Sequence, residues 1–115
     1  MKKKPLSKVN YWINLEANIL LFEIAAQINF LDSEHGGRNV PFGQGFSPKL
    51  MFNTSNIEYF TEFNIKESKT IFPGDQIKLE LKIKGEPSIF IHKGASFDLF
   101  EGEKNIGNGT IMEIL

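Results

Sequence analysis

Phe72-Pro73-Gly74-Asp75-Gln76-Ile77-Lys78-Leu79-Glu80-Leu81-Lys82-Ile83 is a turn followed by the cleanest alternation in the chain. Proline sets φ at the first central position of the turn, and glycine accepts positive φ at the second. Beyond it, Ile77, Leu79, Leu81 and Ile83 alternate with Lys78, Glu80 and Lys82. Successive side chains on a strand point to opposite faces, so this pattern specifies one buried face and one charged, hydrated face. No segment of the chain sustains the 3.6-residue period of a helix.

Period-two patterning continues on both sides. Ile57, Tyr59, Phe63 and Ile65 mark a strand with Phe60 on its other face, and Leu50 and Phe52 begin another. Leu20, Phe22, Ile24, Ala26, Ile28 and Phe30 alternate on even positions, whereas Val9, Tyr11, Ile13 and Leu15 alternate on odd ones. The parity switch at Glu16-Ala17-Asn18 reads as a turn between two strands or a bulge. Towards the C-terminus, Ile89 to Ile91, Phe97 to Phe100 and Thr110 to Leu115 supply further strands. Gly102-Glu103-Lys104-Asn105 reads as the hairpin turn between the last two. Asp32 to Gly45, with four glycines and a proline, reads as a long structured loop, a kind of segment that often carries function. Short strands at this spacing indicate an all-β sandwich or barrel. A closed barrel also removes the exposed edges that invite aggregation.

The 115 residues suit one domain, and 41% apolar residues with 23% charged ones suit a packed core. Eleven phenylalanines make that core aromatic. Without cysteine there is no disulfide, thiolate metal site or thiol nucleophile. Lys2-Lys3-Lys4 resembles the start of a signal peptide, but Pro5, Ser7, Lys8, Asn10, Asn14, Glu16 and Asn18 break any apolar stretch after it. The chain reads as a protein of the cytoplasm with no membrane span. Net charge is −1, yet Lys2, Lys3, Lys4 and Lys8 carry four of the thirteen basic residues. The remainder sets nine basic against fourteen acidic residues, a net of −5. That body lacks the basic footprint of a nucleic-acid binder, so any such contact must come from a local patch or from the tail.

Catalytic chemistry has little to stand on. His35 and His92 are the only histidines, too few donors for a metal site without cysteine or a dense acidic cluster. No nucleophile motif frames a serine. Glu101 and Glu103 flank a turn and read as solvated. Gly107-x-Gly109 is not a nucleotide fingerprint, because no helix follows it, and reads as close strand packing. The chain reads as a non-enzyme without cofactor or metal.

Four segments in order carry a family resemblance: Glu34-His35-Gly36-Gly37-Arg38-Asn39-Val40-Pro41-Phe42, Gly45-Phe46-Ser47-Pro48-Lys49-Leu50-Met51-Phe52, Phe72-Pro73-Gly74-Asp75, and Phe97 through Glu101-Gly102 to Ile106-Gly107-Asn108-Gly109. The C-terminal domain of bacterial elongation factor Tu resembles this with Glu-Gly-Gly-Arg-His-Thr-Pro-Phe, Gly-Tyr-Arg-Pro-Gln-Phe, Pro-Gly-Asp and Arg-Glu-Gly-Gly-Arg-Thr-Val-Gly-Ala-Gly. The resemblance runs from about Phe22 to Leu115. It implies a six-stranded antiparallel Greek-key β-barrel at residues 19–115, with residues 1–18 as a basic tail and possible extra strand. In the full-length factor this barrel contacts the T-stem of aminoacyl-tRNA, docks on the GTPase domain and helps meet the nucleotide-exchange factor. Nucleotide binding belongs to the GTPase domain, and this sequence has no Gly-x-x-x-x-Gly-Lys-Ser/Thr loop.

Carried across residue by residue, the resemblance implies RNA contacts at Arg38, Asn39, Lys49, Lys84 and Gly102. Arg38 matches a family arginine, and its fork suits phosphate; bracing of its own loop is the competing role. Asn39 stands in place of a histidine and cannot become cationic. Lys49 replaces a glutamine. Glu58 replaces a threonine that touches the RNA backbone, and a carboxylate there repels phosphate. Lys84 lies near a family lysine, with Lys82 and Glu86 as alternatives because the next segment is longer here. Gly102 matches a glycine that the RNA approaches, and a hairpin turn also explains it. Two functions stand. One is an RNA-binding accessory of translation, with aminoacyl-tRNA or another RNA as partner. The other is a protein-interaction module that uses Phe42, Phe46 and Phe60 to bind a translation-factor protein or itself, although each phenylalanine alone also reads as core.

Overall fold

The computed structural model describes residues 21–85 and 91–115 in full and the backbone of 11–14 and 19–20. The lysine tail, the parity switch at 16–18 and the strand start at Ile89 lie outside the described residues. The strands are β1 (Tyr11–Asn14), β2 (Ile19–Phe30), β3 (Lys49–Phe52), β4 (Glu58–Asn64), β5 (Gln76–Lys84), β6 (Ser96–Glu101) and β7 (Lys104–Ile114).

β2 is long because both of its edges are used. One edge pairs with β5 from Leu21 to Asn29, and the other pairs with β7 from Ile24 to Phe30. That double pairing closes β2-β5-β4-β3-β6-β7 into a six-stranded antiparallel barrel. The hairpin-linked run β3-β4-β5, with β6 returning beside β3, is the Greek key. β1 pairs with Ile19 to Phe22, the part of that β2 edge that β7 does not reach, and so lies outside the six.

The period-two pattern explains the core. Phe22, Ile24, Ala26, Ile28 and Phe30 of β2 point inward and are buried, as are Leu79, Leu81 and Ile83 of β5. Phe52 and Phe97 meet edge-on in the interior, with ring centres 6.2 Å apart. Gly109 has no side chain because Phe97 fills the space: a Cβ there would sit 2.5 Å from the ring's Cζ. Thr61 is the one polar residue of β4 turned inward, and its hydroxyl donates to the Pro48 carbonyl at 2.5 Å. The Ser47 hydroxyl in turn donates to the Thr61 carbonyl, so this buried polar group is satisfied.

Three expectations need adjustment. Ile57 precedes β4 and is exposed, because a side chain outside the strand is not held by the pleat. The last strand begins at Lys104, immediately after a two-residue turn at Gly102-Glu103. Ile91 is buried but is not in a strand.

The candidate docking face

The loop after β2 aims one arginine across the barrel mouth. Asp32 caps a single 3₁₀ turn, Ser33–His35, by accepting from the His35 N–H at 2.9 Å, and its carboxylate also meets the His35 ring Nδ1 at 2.6 Å. The bond to the His35 side chain holds the Asp32 carboxyl below its ordinary value. That contact therefore supports the turn above the usual carboxylate range and fades as pH falls through the lowered value. Gly36 follows with φ +88°, a left-handed residue that ends the turn. Gly37 then folds against Leu31 so closely that a Cβ would lie 1.9 Å from the Leu31 carbonyl oxygen.

Arg38 emerges from this double glycine. Its guanidinium carbon lies 5.0 Å from the centre of the Phe42 ring and 5.6 Å from that of Phe46. Its Nε donates to Glu101 Oε1 at 2.8 Å, and its Nη1 is buried without a hydrogen bond. Phe42 and Phe46 stack at 4.1 Å and pack on Phe30 and Phe63. Both are buried, so two of the three phenylalanines expected as docking aromatics belong to the core. The loop gives them no period to reveal this. Arg38 braces the mouth, through rings and a carboxylate rather than through loop carbonyls.

The outer wall tells a different story. Leu21, Lys84, Phe60, Lys49 and Phe100 are direct cross-strand partners in one row across β2, β5, β4, β3 and β6. Directly paired residues share a face. Phe60 stands at the centre, 67% exposed. Glu58 and Glu62, two residues to either side along β4, lie on the same face. Glu58 meets Lys49 Nζ at 3.7 Å, and Glu62 meets Lys84 Nζ at 3.1 Å.

The structure places the residues singled out in the sequence in two groups that meet at the end of β6. Lys49 and Lys84 flank Phe60 on the wall. Phe100, opposite Lys49, leads through Glu101 to Gly102, which takes φ +61° in the hairpin turn. Arg38 joins there through Glu101, with Asn39 exposed beside it. Sequence reading missed Glu62 and Glu101 as partners. Glu62 was visible as the next outward position after Phe60; Glu101 had no such signal, since only the closed barrel brings it to the loop. Arg38, Lys49 and Lys84 each carry a glutamate within ion-pair distance. A groove of about 600 Å³ beside the wall is lined by Glu23, Glu62 and Glu80 against Lys82.

No helix among the described residues is long and apolar enough to cross a membrane. The family model described as Elongation factor Tu C-terminal domain matches residues 21–115.

Proposed function

Because the chain belongs to the elongation factor Tu C-terminal domain family, we propose that it is a non-catalytic, translation-factor-type barrel that docks a protein, not RNA, through the wall centred on Phe60. The observation that carries this reading is the pairing of charges around an exposed aromatic: Lys49 with Glu58, and Lys84 with Glu62, on either side of Phe60. A phosphate approaching either lysine also approaches its carboxylate, and the repulsion offsets much of the attraction. RNA affinity rests on uncompensated cations that release counterions. Protein interfaces instead favour an aromatic anchor inside a polar rim.

Site-specific photo-crosslinking tests this in the cells that make the protein. Benzoylphenylalanine placed at Phe60 is expected to give an adduct that protease removes and nuclease does not. The same probe at Lys78, an exposed outward position further along β5, is expected to give none. A nuclease-sensitive adduct at Phe60, or no adduct there, contradicts the proposal.

A further inference from the structure

We propose that the occupant of this wall is a second copy of the same chain, packed face to face with the two β4 strands crossing at about 90°. This rests on the protein-docking reading above.

The charges around Phe60 form a cross. Lys49 and Lys84 lie to either side of it, one strand away, at about 4.8 Å. Glu58 and Glu62 lie below and above it along β4, at about 7 Å. The arms differ by about 2 Å, within the reach of lysine and glutamate side chains, and the four charges cancel. Around the cross, Lys82 faces Glu23 on the row of Glu62, and Asp98 lies on the row of Glu58, so the face stays close to neutral and repels its own copy little, although the body of the chain is acidic.

Relative orientation decides the energetics. If two such faces meet with their β4 strands parallel or antiparallel, lysine meets lysine and glutamate meets glutamate. A two-fold axis lying in the interface, diagonal to β4, rotates the cross by a quarter turn. Each lysine then faces a glutamate of the other copy, and Phe60 meets Phe60 on the axis. The contact is isologous, as closed dimers require. Near-orthogonal crossing is also one of the two ways in which sheets pack face to face. Leu21 and Phe100, at the ends of the row and partly buried, extend the apolar strip beyond the charges.

Sedimentation velocity on three charge states of the full chain tests the arrangement. Wild type is expected to show concentration-dependent dimers. Lys49→Glu with Lys84→Glu makes the cross wholly negative, and Glu58→Lys with Glu62→Lys makes it wholly positive. Each reversed form is expected to be monomeric at concentrations where wild type is mostly dimeric, and an equimolar mixture of the two is expected to restore the dimer. Phe60→Ser is expected to lose the dimer while keeping the melting transition that wild type shows at concentrations where it is monomeric, since the side chain is largely exposed. Wild type that stays monomeric up to a concentration of about 1 mM overturns the proposal. So do reversed forms that still dimerise, or a mixture that does not. The Phe60 photo-adduct separates the two levels. A second copy in the adduct supports both readings, a different protein leaves docking intact and ends self-association, and RNA ends both.

Discussion

Phe97→Ala is expected to destabilise the barrel by about 3–5 kcal/mol in urea unfolding, the usual cost of removing a buried aromatic ring. Phe97 is fully buried, lies edge-on to Phe52, and occupies the space opposite Gly109. The two positions are coupled. Gly109→Ala alone drives a methyl to 2.5 Å from Phe97 Cζ and 3.0 Å from the Gln27 carbonyl oxygen. That overpacking is expected to cost about 1–3 kcal/mol. In the Phe97→Ala background most of the clash is gone, so the second change is expected to cost at least about 0.5 kcal/mol less. Equal costs in both backgrounds contradict this account of the glycine.

Gly37→Ala is expected to cost about 3 kcal/mol, at the upper end for overpacking, because the obstacle is backbone. Its Cβ would meet the Leu31 carbonyl oxygen at 1.9 Å, the Leu31 carbonyl carbon at 2.4 Å and the Asp32 carbonyl oxygen at 2.8 Å. None of these can swing aside as a long side chain can. Gly36 gives the control: it has open space around it but φ +88°, so Gly36→Ala costs only the left-handed penalty of about 1–2 kcal/mol. Gly37→Ala is also expected to move the Arg38 Nε–H resonance, since that glycine delivers Arg38 to Glu101. A Gly37→Ala cost below that of Gly36→Ala contradicts the packing argument.

What was legible in the sequence follows from where a physical period exists. The alternation of Ile77 to Ile83 and Phe22 to Phe30 is forced by the pleat, and both segments are strands with the expected face turned inward, Ile77 only partly buried at its end. The same pleat marked Phe60 as outward. Phe42 and Phe46 lie in a loop with no repeat, so nothing local could reveal that Arg38 covers them and that they close the core. Ile57 failed for the related reason that it stands one residue before its strand. The family resemblance was readable because its glycines and prolines sit at turns and close approaches, as Gly37, Gly74 and Gly109 do. The ion pairs were not readable. Lys49 with Glu58, Lys84 with Glu62 and Arg38 with Glu101 depend on cross-strand register and barrel closure.

The proposed protein docking at the wall around Phe60 is tested most directly by a backbone-amide NMR titration of the full chain with aminoacyl-tRNA at near-physiological salt. No saturable shifts are expected at Arg38, Asn39, Lys49, Phe60, Lys84 or Gly102, even at high tRNA excess. Saturable shifts at those positions that disappear in Arg38→Ala contradict it and make this a tRNA-binding barrel.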